Sequence, residues 1–385
     1  MRHARLLIAI CFIALGTAGI ASAQDSPAAT PTPAPAAAPT PPTPLATGSA
    51  GAASQTSNYF NPSVSVIGNF LAVGGQNPVE NLPSASLRES ELGVQAVVDP
   101  YARADFFISF GEHDVSVEEG FVTFTALPAD LLVKVGRMRV SFGKVNTMHL
   151  HVMPWPDEPL PVVNLLGGEE GWIGTGASVA KLLPLPGDVF SELTLQVFGD
   201  EPDGPFVATK RSQLAYNGHY RVFADLSDST NLDFGVSYGQ GPNGTSSDAE
   251  TTLGAVDATL RWKPLVKGNY RSAILRGEYF LSRRDQSGGT VNADGWFVSG
   301  EYQLAKRWWV GVRGEASQHA DNAAIKDTGT AATVTFWPSE FSQLRAELRQ
   351  RRYGGPNSAS TGTYTANEVL FQLQFAIGAH GAHPF

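Results

Sequence analysis

From about residue 60 onward the chain repeats a two-residue alternation of apolar and polar side chains, a period that belongs to strands and not to helices. In Ala102-Arg103-Ala104-Asp105-Phe106-Phe107-Ile108-Ser109-Phe110 the even positions are apolar and most odd ones polar. The same alternation runs through Leu232 to Tyr238, through Trp296 to Leu304 on even positions, and through Val369, Phe371, Leu373, Phe375 and Ile377 against Gln372 and Gln374. No run of 18 apolar residues follows Asn58, so a helical transmembrane protein is excluded. With 40 Gly and 26 Pro among 385 residues, long helical bundles and coiled coils are excluded too.

The alternation predicts sixteen strands, near 63–72, 86–99, 102–112, 115–126, 131–142, 174–183, 191–199, 213–226, 231–241, 251–264, 270–284, 293–305, 307–318, 328–338, 340–353 and 366–378. Their connections alternate in length. Tight turns stand at Asp99-Pro100, Leu127 to Asp130, Ser227 to Thr230, Ala305-Lys306 and Pro338-Ser339, whereas Gly- and Asn-rich loops such as Gly241 to Glu250 and Gly354 to Thr365 follow odd strands. Short turns on one rim and long loops on the other are the layout of an outer-membrane barrel. The expected fold is therefore all-β, a 16-stranded antiparallel transmembrane β-barrel with short periplasmic turns and long external loops. Tyr101, Trp262, Trp308, Trp309 and Trp337 adjoin short turns, where an interfacial aromatic girdle belongs.

Ahead of the strands, Arg2, His3 and Arg5 precede an apolar stretch from Leu6 to Ile20 and the small residues Ala21-Ser22-Ala23, the pattern of a cleaved signal peptide over residues 1–23. Residues 24–57 form a Pro/Ala-rich periplasmic spacer with no means of building a core. The barrel domain occupies 58–385. The single cysteine, Cys11, falls in the leader, so the mature chain has neither a disulfide nor a thiolate metal site. A net charge of −9 without a basic tail argues against nucleic-acid binding.

The segment Val133-Lys134-Val135-Gly136-Arg137-Met138-Arg139-Val140-Ser141-Phe142-Gly143-Lys144 resembles the glycine, basic, phenylalanine-glycine segment that precedes the constriction loop of the phosphate-selective (polyphosphate) porin O/P family, within bacterial outer-membrane porins. The resemblance extends over about residues 60 to 385. It implies a homotrimer of water-filled barrels in outer-membrane lipid, with loops folded into each pore. Independently, the longest connection, Lys144 to Ile173, falls between the fifth and sixth strands, where porins place the loop that narrows the pore. Phe385 resembles the terminal aromatic read by barrel-assembly machinery, although Pro384 precedes it and Ala379 to Phe385 extend beyond the last alternating strand.

Charge at the bilayer midplane is costly, so charged strand residues are expected to face the lumen. By parity the inward basic residues are Arg103, Arg137, Arg139, Arg221, Arg261, Arg276, Arg284, Arg313, Arg345, Arg349 and Arg351, with Arg137, Arg139, Arg276, Arg313 and Arg349 nearest mid-height. A planar guanidinium suits phosphate and carboxylate solutes. Inward acids are also expected at Glu89, Glu91, Asp105, Asp257, Glu278, Glu301, Glu315 and Glu347, and the constriction loop adds Asp157, Glu158, Glu169 and Glu170. The loop acids would stand opposite an arginine wall and set a field across the eyelet. The phosphate family's unbroken basic path is absent from this mixture, which favours a general or modestly selective porin for small hydrophilic solutes or anions.

Gly235-Val236-Ser237-Tyr238-Gly239 matches the short pattern of a hydrolase nucleophile elbow, but the strand alternation runs straight through it. An enzyme on a barrel would need an activated nucleophile with a base and an orienter, and none is recognisable. A tethering role through the spacer is compatible with a pore. No catalytic residues, cofactor or metal site are expected. His149 with His151, and His380 with His383, would hold zinc only if a third ligand approached; they read as polar loop and tail residues.

Overall fold

Residues 62–112, 114–186, 189–199, 204–355 and 362–378 are described by a computed structural model, and sixteen antiparallel strands run through them. They are β1 (Ser63–Gln76), β2 in two pieces (Ala85–Leu87 and Ser90–Asp99), β3 (Ala102–Phe110), β4 (Val115–Phe124), β5 (Leu131–Arg139), β6 (Ile173–Leu182), β7 (Val189–Phe198) and β8 (Ala215–Ser227). The second half comprises β9 (Thr230–Pro242), β10 (Glu250–Trp262), β11 (Ala273–Gln286), β12 (Gly289–Ala305), β13 (Trp308–Gln318), β14 (Lys326–Ser339), β15 (Ser342–Tyr353) and β16 (Tyr364–Gly378). Each strand pairs with its neighbours in sequence, and β1 closes the ring on β16 from Ser65↔Gly378 to Gln76↔Asn367. Closure gives both edges a hydrogen-bonded partner, the condition for a sheet to exist in lipid, where no water can satisfy the backbone. All sixteen expected strands are present. The leader, the spacer, His380, His383 and Phe385 lie outside the described residues.

The two faces are inverted relative to a soluble protein. On β15, Leu348 is 63% exposed while its neighbours Glu347 and Arg349 are 1% and 3% exposed. The same inversion sets exposed Leu275, Val298, Val312, Val334 and Phe371 against buried Glu278, Ser299, Arg313, Thr333 and Gln372. Tyr101, Trp262 and Trp308 are exposed on the outer face beside the short turns, where an amphipathic ring meets the headgroup level.

Some connections are tighter than the alternation alone predicts. The expected loop near 285–292 is instead a hairpin extension, with Asp285↔Thr290 and Gln286↔Gly289 paired around Ser287-Gly288. Gly289 adopts φ 125°, a conformation open to glycine, and so lets the ladder run to the turn. Between β4 and β5 a 3-10 turn, Pro128–Asp130, puts Ala129 and Asp130 at positive φ.

One region of the interior is apolar. Phe142, Trp155 and Trp172, all between β5 and β6, are buried with Phe198, Phe280 and Phe297 from the inner faces of β7, β11 and β12. Burying such side chains contributes roughly 1.5–3 kcal/mol each, enough to hold a long segment inside a polar-walled barrel.

The inverted faces predict an asymmetric response to charge. Leu348→Arg should lower the unfolding free energy of the barrel in lipid vesicles by about 2–4 kcal/mol if the site lies near the midplane, and Leu348→Ala by less. An arginine tolerated at position 348 at no cost would show that this face does not meet lipid.

Candidate functional site

Residues 140–172 leave the end of β5 and turn into the barrel. Asn146, 2% exposed, ties the two stalks together: its Nδ2 donates to the Val140 carbonyl at 2.8 Å and the Trp172 carbonyl at 2.9 Å, and its Oδ1 accepts from the Trp172 amide at 2.7 Å. Gly143, at φ 63°, donates its amide to Ser237 Oγ at 2.9 Å, and a side chain there would strike the Glu278 carboxylate. The Val145 amide donates to Glu278 Oε1 at 2.7 Å, and the Lys144 ammonium pairs with Asp233. These bonds fix the first turn of the loop against β9 and β11. Burial, reinforced by Arg261 and opposed by Asp233, pushes the Lys144 pKa down to about 8.

The loop then reaches the opposite wall, where one carboxylate collects three guanidiniums. Arg313 Nη2 donates to both oxygens of Asp157 at 2.9 Å, Arg349 Nη1 to Oδ2 at 2.8 Å and Arg351 Nη2 to Oδ2 at 2.6 Å. Burial alone would raise the Asp157 carboxyl, but the three arginines outweigh it and hold it well below the usual carboxylate range. Around this centre Arg345 donates to the Met153 carbonyl at 3.0 Å, and Gln374 to the His151 carbonyl at 2.8 Å. Glu315 accepts from the Leu160 amide at 3.0 Å, at the start of the helix α1 (Leu160–Leu165). Glu80, between β1 and β2, bridges Arg349 at 2.9 Å and Arg351 at 2.6 Å. Glu158 has no such set of arginines; burial pushes its pKa up to about 8, against the pull of Arg139.

A second cluster lies where the loop passes β2 and β4. His149 Nδ1 is 2.5 Å from Glu91 Oε2 and 3.3 Å from Glu118 Oε2, while its Nε2 is 2.8 Å from Glu119 Oε2. Burial opposes the imidazolium, yet the Glu91 and Glu119 carboxylates raise the His149 pKa well above the usual histidine range. Arg139 Nη2 donates to Glu118 at 3.0 Å. Among the described residues, Glu91, His149 and His151 bring three donor atoms within 4.8 Å of one another.

The expected site residues divide. Arg313, Arg345 and Arg349 converge on the loop, and Arg276 is on the inner wall, paired with Glu301 of β12. Arg139 is buried against Glu118 and Glu170, and Glu169 stands 3.4 Å from Arg88. Arg137 is a correction: it faces outward. It lies across from Gly120 and Thr175, on the same face of β5 as Val135, which is 48% exposed, because Lys134 takes the inward face and stacks 4.7 Å over the Phe121 ring. Two residues from the strand end, Arg137 donates its Nε to the Val117 carbonyl at 2.9 Å. The expected field across an eyelet is also corrected at Asp157, which docks directly on the arginine wall with no gap between them. Arg351 completes that wall; its inward parity was readable, but nothing in the sequence singled out its height. Ser237 lies in mid-strand with its hydroxyl 2.8 Å from His219 Nδ1 and accepting from Gly143, so it serves as an anchor for the loop.

No protein-family model matches the chain. A protein of Aquifex aeolicus (strain VF5), described only as uncharacterized, is 29% identical over 337 residues, which cover 78% of this chain and 70% of that one. Among solved structures, OprB of Pseudomonas putida is similar with a TM-score of 0.58 at 9% identity, over 82% of this chain and 94% of that one. The anion-selective porin from Comamonas acidovorans gives 0.54 at 12% identity, over 82% and 98%. OmpT of Vibrio cholerae in its trimer form gives 0.52 at 11% identity, over 82% and 99%. At such identities the likeness is one of fold: this chain shares its barrel architecture with outer-membrane porins.

Proposed function

We propose that the chain is an outer-membrane porin, a water-filled channel for passive diffusion of small hydrophilic solutes or ions, with residues 140–172 as its constriction. The observation that carries the reading is the closed ring whose inner face is charged and whose outer face is apolar, with the longest loop folded inside. Such a ring has no need of a polar interior unless water enters it. The porin architecture of the similar structures supports the same reading, as it supports an outer-membrane location. The trimer form of OmpT supports a homotrimer, which would bury part of the apolar outer face. The signal peptide over residues 1–23 delivers the chain to the periplasm in this scheme, with residues 24–57 as a spacer there.

Selectivity is set by what remains after the internal ion pairs are formed. Asp157, Glu80, Glu315 and Glu368 compensate Arg313, Arg349 and Arg351, so the arginine wall is not an open anion trap. The reading is therefore a general pore with at most modest preference for anions or phosphate. Arg345 and Glu158 tune that preference, while the triad on Asp157 positions the loop and Arg276 is compensated by Glu301.

Three outcomes follow. Refolded protein in a planar bilayer under a potassium chloride gradient should give discrete conductance steps, grouped in threes for a trimer, with a small reversal potential; a heat-modifiable barrel that passes no current would refute the channel. Asp157→Ala leaves three buried guanidiniums without their shared counter-charge, a loss of about 3–5 kcal/mol at the site. Its channels should be noisier and shifted toward anions, and an unchanged reversal potential and noise spectrum would count against the docked loop as constriction. Raising the pH from about 7 to about 9 should shift the reversal potential toward cations, because Glu158 gains a negative charge and Lys144 loses a positive one as each passes its pKa of about 8, and both changes make the lumen more negative. Glu158→Gln should reduce that shift.

A further inference from the structure

The cluster at the β2 side of the loop is built from groups that neither the channel wall nor the loop anchor requires. We propose that Glu91, His149 and His151 form a binding site for a zinc-class divalent cation that clips the loop to β2. Glu91 Oε2 is 2.5 Å from His149 Nδ1 and 3.6 Å from His151 Nδ1, and the three ligand atoms lie within 4.8 Å of one another. Ligands bound at about 2.0–2.2 Å around a tetrahedral zinc stand about 3.4 Å apart, so small side-chain shifts would seat an ion. Two imidazoles and one carboxylate, with a fourth position open, suit zinc better than the hard cations, which prefer all-oxygen sites.

The surroundings match. His149 Nε2 is 2.8 Å from Glu119 Oε2, the carboxylate partner that fixes the ring so that Nδ1 faces a metal. The residue pair is held from both sides: Gln374 donates to the His151 carbonyl at 2.8 Å, and the Phe107 ring packs edge-on against His149 with centroids 5.0 Å apart. Charge gives a second and independent indication. Glu91, Glu118 and Glu119 are all at most 5% exposed, and Arg139 is the one permanently charged cation among the described residues bonded to this group. Glu89 joins the group through a side-chain hydrogen bond to Glu118, so four carboxyl groups crowd this side of the loop. A buried excess of carboxylate demands either protons or a cation. A divalent ion bound by Nδ1 of both histidines supplies the charge while keeping the imidazoles neutral.

The site does not depend on the channel reading, and its test uses no current. In full-length protein carrying His380→Ala and His383→Ala, to remove the tail histidines, cobalt chloride titrated into the refolded barrel should produce a saturable visible d–d absorption at one ion per chain. Zinc sulfate should displace it. His151→Gln and Glu91→Gln should each weaken cobalt binding by at least about 100-fold, and Glu119→Gln, acting only through His149, by about 10- to 100-fold. Heat-modifiable migration on gels reports folding for each variant. A folded wild-type barrel with no saturable cobalt band overturns the proposal, whatever the variants do; so does a band that survives in folded His151→Gln and Glu91→Gln. Conductance without metal binding would remove this site and leave the channel standing, and metal binding without conductance would do the reverse.

Discussion

The backbone in a bilayer has no water to bond, and this one constraint orders everything else in the molecule. Closing β1 on β16 satisfies the last strand edge, and closure in turn assigns every residue to one of two faces. Apolar side chains such as Leu348 and Leu275 face outward. Charged ones such as Arg349 and Glu347 go inward, where they must be met by water or by each other.

The loop between β5 and β6 supplies part of that meeting. It is held by two interactions of different character. An apolar cluster of Phe142, Trp155 and Trp172 against Phe198, Phe280 and Phe297 provides affinity without direction. The Asp157 carboxylate, seated among Arg313, Arg349 and Arg351, provides direction. A buried ion cluster carries a large desolvation cost, so it adds little net stability while making any other seat for the loop expensive. Positions along the loop are thus defined relative to the wall, which a constriction of fixed width requires.

Much of this was legible in the sequence because the two-residue period is a direct imprint of the two faces. All sixteen strands and the position of the longest connection, between the fifth and sixth strands, follow from alternation and connection length. The errors fall where parity shifts or where it carries no information. Arg137 was assigned inward because charge marks the lumen at midplane, yet near a strand end that rule relaxes, and Lys134 had already taken the inner face. Opposite β3 the register shifts between Phe107 and Ile108, which turns both Glu118 and Glu119 into buried positions that strict alternation forbids. The seat of Asp157 was illegible for a simpler reason: it joins residues 156, 192 and 194 positions apart, and no local pattern encodes such a pairing.

Residues 140–172 lie inside the barrel against its wall. Pro161 Cβ comes within 2.8 Å of where a Cβ would stand on Gly295 of β12, a pair close enough to bridge after a small shift. The chain's one cysteine is Cys11, so Pro161→Cys with Gly295→Cys in a Cys11→Ser background would carry a single thiol pair. Mild oxidation of the folded barrel should consume both thiols and shift its migration after denaturation, with reversal by reductant. Two thiols that stay free and open to a bulky maleimide in the folded barrel would place the loop elsewhere.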